Sequence, residues 1–159
     1  MSDDARFEDA REKPLNIGAF DAEDLKVLSA LAQDAVFPVT EMSWRPGERR
    51  FALLINRFRW EDHRAAEQHG RPFERVQSVL VIDNVLGVAS TGFDRADPDL
   101  VLSLLAIEWQ PGEDAAGHVI LTLAGDGAIR LSVEALEVGL RDVTRPYVAP
   151  SRKMPDHGA

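Results

Sequence analysis

Two arginines spaced two apart, Arg57 and Arg59, stand beside Asn56 and Trp60. Alternate residues of an extended strand share a face, so the two guanidinium groups lie on one side, with Arg49 on the same alternation if the strand is regular that far. Arginine forks bind carboxylate or phosphate through paired hydrogen bonds, and an indole offers a flat stacking surface. Asn56, Arg57, Arg59, Trp60 and Arg49 are therefore the candidate ligand-binding set, an anion clamp at a sheet rim. The opposing reading is internal pairing. In a chain of net charge −9, Asp94, Glu108 or Asp142 could neutralise these arginines inside the fold, with Trp60 as a core plug.

Other constellations carry less chemistry. His63 and Glu67 are spaced to share a helix face, a plausible ligand pair, but His69 falls outside that spacing and no metal is expected. Ser90 sits in Gly-Val-Ala-Ser-Thr-Gly, which is not the strand–turn–helix elbow of a hydrolase, and His118 has no evident partner. Gly125-Asp126-Gly127 precedes a strand and places an aspartate where an anion would sit, so a hairpin turn explains it. Asp94, Asp97 and Asp99 share a proline-containing loop, and Glu61 and Asp62 flank the arginine pair. Neither set shows the apolar pocket that splits the pKa values of a glycosidase pair, and Asx-turns and solvation account for them. No catalytic residue and no cofactor is assigned.

The arginines must be positioned by the strand around 48–61. Phe51, Leu53 and Ile55 alternate with Ala52, Leu54 and Asn56, a strand apolar on both faces and so covered on both. After Asn56 the phase changes: Phe58 and Trp60 take the Leu54 face, Arg57 and Arg59 the Ile55 face. A strand that buries Ile55 and solvates Arg57 must bulge or reach the rim, which predicts a bulge or the sheet rim at 56–58. Ahead of it, Leu15, Ile17 and Ala19 alternate as a short strand. Asp21 then caps a helix whose stripe is Ala22, Leu25, Leu28, Leu31, Ala32 and Ala35, ending near Asp34 before Pro38. Residues 36–44 turn through Arg45-Pro46-Gly47-Glu48 into a hairpin with the arginine strand.

Residues 61–72 read as a polar loop or a short helix over 62–68. Further strands are expected at 73–82, 100–109, 119–123 and 129–133, with a loop at 92–99. Asp83-Asn84 either turns the chain or lies within a longer strand. Residues 134–143 fit either period, and Gly139 favours a strand. The fold expected is mainly β: an antiparallel meander forming a barrel or a sandwich, with one N-terminal amphipathic helix packed on it. Its bounds are a single domain over 14–143, between a disordered tail at 1–13 and a loose tail at 144–159.

At 159 residues the chain buries enough surface to need no staple, and it has no cysteine, which excludes thiol catalysis, thiolate metal sites and disulfides. Its charge is uneven: eight arginines against five acidic residues over 45–75, then three against eleven over 76–144. Phosphate repulsion over so acidic a surface argues against nucleic acid, while a local arginine island can still hold an anion. No apolar run is long enough for a membrane span and 1–13 lacks a signal-peptide pattern, so the simplest location is cytoplasmic.

Asp21-Ala22-Glu23-Asp24-Leu25, Glu48-Arg49-Arg50-Phe51-Ala52-Leu53, Asn56-Arg57-Phe58 and Trp60-Glu61 together resemble an uncharacterised alphaproteobacterial family, a domain of unknown function. Leu104-Leu105-Ala106-Ile107 and Gly127-Ala128-Ile129-Arg130-Leu131 fit it too, over about residues 15–142. The resemblance implies a bacterial, cytoplasmic protein and supplies no activity, cofactor or catalytic residue. The function expected is a non-catalytic binding or adaptor domain acting through contact with a partner protein. The alternative is a binder of, or enzyme on, an anionic metabolite held by Arg57 and Arg59. A homodimer through an exposed β edge is compatible with either.

Overall fold

The structure, a computed structural model, describes residues 13–148. The first strand, β1 (Asn16–Ala19), leads into helix α1 (Ala22–Ala32). Asp21 starts this helix because its carboxylate accepts the Asp24 backbone N–H at 2.8 Å, satisfying one orphan donor, while Glu23 and Asp24 meet the positive end of the dipole. The helix stops two residues before Asp34, which takes a left-handed φ of 67°. Leu25, Leu28 and Ala32 are buried, so the expected stripe is the one that packs, against β1 and the long strand β7 (Val101–Pro111). Each buried leucine contributes about 1.5–3 kcal/mol. Ser29 ties the helix further by accepting the Ile107 N–H at 2.8 Å.

The remaining strands are β2 (Val36–Pro38), β3 (Met42–Arg45), β4 (Arg50–Phe58), β5 (Glu74–Ile82), β6 (Val85–Thr91), β8 (Gly117–Leu123), β9 (Ala128–Val133), β10 (Val138–Asp142) and β11 (Tyr147–Val148). A second short helix, α2 (His63–Gln68), follows a 3-10 turn at Trp60–Asp62. The strands form one antiparallel sheet in the order β1-β10-β5-β4-β2-β7-β8-β9-β6, with β3 added to β4 and β11 to β5. The mainly β, antiparallel architecture with a helix on it is the one expected. The sheet is single and is not closed, so the barrel that was one of the two expected forms is not made: β1 and β6, at the two ends of the strand order, do not pair.

Several local expectations match: β3 and β4 pair as a hairpin, Gly125–Gly127 turns β8 into β9, and 138–142 is strand. Others are corrected. The meander is interrupted, because β10 returns between β1 and β5 and β6 leaves β5 to pair with β9. Of the two alternatives left open at Asp83-Asn84, the turn is the one that occurs, with Asn84 at φ 62°, a conformation that asparagine tolerates. Of the bulge or sheet rim expected at 56–58, no bulge occurs and β4 ends at Phe58: it holds one register against β5 from Phe51–Ile82 to Phe58–Arg75. The register shifts lie instead between Val85 and Gly87 and between Leu104 and Ala106. The loose stretch expected from 144 contains β11, which continues the β5 edge beyond β10. The expected disordered segment lies, apart from Lys13, outside the described residues, as do residues 149–159.

Register decides what faces inward. Phe51, Leu53 and Ile55 of β4 oppose Ile82, Leu80 and Ser78 of β5, and all are buried. The next inward position is Arg57, opposite Val76.

Candidate functional site

Arg57 is fully buried, with 0% exposure, at the end of the interior face of β4. The sheet keeps its register because carboxylates come to the arginine. Glu61, swung back by the 3-10 turn, accepts from Nη1 and Nη2 at 2.9 and 2.7 Å, a two-bond fork. Asp142 on β10 accepts from Nη2 at 2.9 Å, and Ser78 on β5 accepts from Nε at 3.0 Å. The Ser78 hydroxyl donates to Asp142 at 2.6 Å, and Asp142 also accepts the Leu15 backbone N–H at 2.9 Å. One buried guanidinium thus joins β4, β5, β10 and the start of β1. Burial is the largest influence on its pKa and lowers it, but hydrogen bonding and attraction from Glu61, then Asp142, outweigh it and leave the pKa above the ordinary arginine value.

The network continues outward. Arg59, only 5% exposed, pairs with Glu74 at 3.0 Å and approaches Asp62 at 3.6 Å and Glu61 at 3.9 Å. Arg71 forks onto buried Asp62 at 3.1 and 3.2 Å. That hydrogen bond is the main reason its pKa is raised, against some desolvation. Cations and anions therefore alternate along Asp142, Arg57, Glu61, Arg59, Asp62 and Arg71.

Beyond Arg59 and Arg71 lies a groove of about 570 Å³ at the end of β5 and β11. Arg59, Arg71, Glu74 and Arg145 line it, with Pro72 and Pro146 as rigid walls. Arg145 is exposed and makes no ion pair with another described residue. Arg71 and the nearly buried Arg59 are held in fixed orientations by Asp62 and Glu74, so what they present to the groove is pre-set.

The sequence-derived set is only partly brought together. Arg57 and Arg59 belong to one network, Arg57 inside it and Arg59 at the groove. Asn56 points to the opposite face, where its Nδ2 donates to the Tyr147 hydroxyl and its oxygens receive Arg75 Nη1 at 3.2 and 3.4 Å. Burial pulls the Arg75 pKa below the ordinary value, against the attraction of Tyr147 and Asp34. Trp60 packs edge-on against Phe58, with ring centres 4.6 Å apart, and donates to the Gln33 carbonyl at 2.9 Å. Arg49 lies at the other end of β4, paired with Glu134 at 2.6 Å. Sequence reasoning missed Arg71, Glu74 and Arg145. Arg71 follows Gly70 and precedes Pro72 in a loop-like stretch, and Arg145 falls where only a tail was read.

The remaining candidates resolve locally. Asp94 and Asp97 accept the backbone N–H groups of Ala96 and Asp99 at 2.9 and 3.0 Å, closing Asx-turns. His63 Nδ1 lies 2.6 Å from the Trp60 carbonyl oxygen. Among the described residues no group of three or more His, Cys, Asp or Glu side chains is placed to hold a metal ion. No helix there is long and apolar enough to cross a membrane.

An open, single antiparallel sheet with one capped helix over it and an arginine–carboxylate network at one end defines the class. The chain belongs to the family described as Protein of unknown function (DUF2948), whose model matches residues 15–157. No curated protein and no solved structure matches the chain.

Proposed function

We propose that this domain is a non-catalytic binding module that engages a partner protein, with the arginine groove as its contact face and an acidic group of the partner as its anchor. The carrying observation is Arg145, an exposed guanidinium beside Arg59 and Arg71, whose orientations are fixed by Asp62 and Glu74. Desolvated arginine is a frequent anchor of protein interfaces, and a pre-set fork loses less side-chain entropy on binding. The sequence resemblance supports an alphaproteobacterial, cytoplasmic setting. The test is affinity purification with the full chain and with Arg145→Glu, repeated at rising salt. A partner held by the native chain, released by salt and lost from the variant supports the reading. Equal recovery by both chains rejects the groove as the contact face.

A second reading rests on the groove itself. At about 570 Å³ it is within the range of small-molecule sites, roughly 300–1,000 Å³. An anionic metabolite would place its carboxylate or phosphate between Arg71 and Arg145. A ligand at about 100 times its Kd adds roughly 2.7 kcal/mol, which is about 5–10 °C in Tm for a domain of this size. A thermal-shift screen with citrate, pyrophosphate and nucleotides checks this, and a shift unchanged in Arg145→Glu would place the ligand elsewhere.

A further inference from the structure

The open seam of the sheet lies at the opposite end of β4 from the arginine groove. β3 pairs with β4 and β6 pairs with β9, and each leaves its other edge without a strand partner among the described residues. β6 begins beside the turn that joins β3 to β4: the Val85 N–H donates to the carbonyl of Arg49, the last residue before β4, at 2.8 Å, and the Arg49 side chain reaches Glu134 at 2.6 Å. No backbone hydrogen bond joins β3 to β6 themselves. An apolar slot of about 150 Å³ occupies the interval, with Met42, Trp44 and Phe51 on the β3–β4 side and Val88, Phe93 and Ile129 on the other. Phe51 and Ile129 are 3% and 1% exposed, so the slot opens directly onto the core. Arg95 also lines it, exposed and with no ion pair to a described residue.

We propose that the seam is a strand-addition site for an extended acidic–apolar segment of a partner protein. That segment would lie between β3 and β6, set an apolar side chain into the slot and place a carboxylate on Arg95. Three observations select this occupant. Unpaired strand edges present N–H and C=O groups that a second backbone satisfies and a lipid or small apolar molecule does not. The slot is apolar and receives one side chain, as the period of two in a docked strand provides. Among the described residues the one charged group lining the slot is the Arg95 guanidinium, which makes no ion pair with them, and this favours an acidic residue in the incoming segment. The inference is independent of the arginine groove, which can fail without affecting it.

The test uses the full chain and a displayed random dodecapeptide library. Selected peptides are expected to alternate apolar and polar residues around an aspartate or glutamate. Their affinity should fall roughly tenfold in Arg95→Glu and return when the peptide's acid is changed to lysine. Because Arg95 is exposed, this variant leaves the core untouched. Amide hydrogen exchange supplies the second readout: β3 and β6 edge amides should exchange freely in the isolated chain and gain protection with the peptide. Peptides that bind Arg95→Glu as tightly as the native chain, or that protect no edge amide, overturn the proposal. So does protection already present in the free protein: if it rises with protein concentration the occupant is a second copy, and if it does not, the occupant is a segment of the chain itself.

Discussion

At its C-terminal end the interior face of β4 closes on Arg57, surrounded by Glu61, Asp142 and Ser78, while at its N-terminal end the same face finishes in Phe51 under an open seam. Both ends face one problem, since a sheet's buried face has to stop somewhere. The charged end stops by neutralising a cation inside the fold, which ties four strands to one geometry. The apolar end stops with few constraints and leaves backbone edges available. Pairing inside the protein therefore spends a polar group, whereas an unpaired edge keeps its polar groups for a partner.

The largest effect should come from breaking the charged end. Arg57→Ala leaves Asp142 buried without its cation and is expected to cost about 3–5 kcal/mol in urea unfolding. Arg57→Met with Asp142→Leu should recover much of that loss, because a packed apolar pair removes the desolvation penalty from both sides. A double variant as unstable as the sum of the singles would show that the network's worth lies outside this pair.

Phe51→Ala at the apolar end should cost about 3 kcal/mol, the low end for a buried phenylalanine, because its ring borders space already open. A loss near 5 kcal/mol would mean that the seam is as tightly packed as the rest of the core. Ser78→Ala is expected to cost about 1–2 kcal/mol: it removes the hydroxyl bridging Arg57 and Asp142 but leaves their direct contact. The smallest effect is Arg49→Ala. Its ion pair with Glu134 is about half exposed at both partners, so the change in stability should stay within about 0.5 kcal/mol. Comparing Arg49→Ala with Arg57→Ala thus measures how far burial, not charge, sets the value of an arginine in this sheet.

Helix α1 was legible because its signals are local: the Asp21 cap, the 3.6-residue stripe and Pro38 beyond. The β8–β9 hairpin was legible for the same reason, through Gly125-Asp126-Gly127 between two alternating runs. Arg57 was only half legible. Its position on the Ile55 face followed from the period of two, and Asp142 stood among three expected counter-ions. Of the bulge or rim predicted at 56–58, the strand ends at Phe58 with no bulge, and Arg57 stays buried there because carboxylates from a turn four residues on and from β10 take the place of water. The groove was not legible, since Arg71 and Arg145 are far apart in sequence and meet only where β11 runs beside β5.

Composition and periodicity alone determined a mainly β, antiparallel domain with one amphipathic helix, since burying alternating apolar faces leaves few other arrangements. Strand order decided which distant groups the charges meet. Whether Arg57 meets water or Asp142 depends on β10 inserting beside β5, and whether the seam closes depends on β6 crossing to β9. Those choices follow from long-range pairing, for which a period of two carries no address.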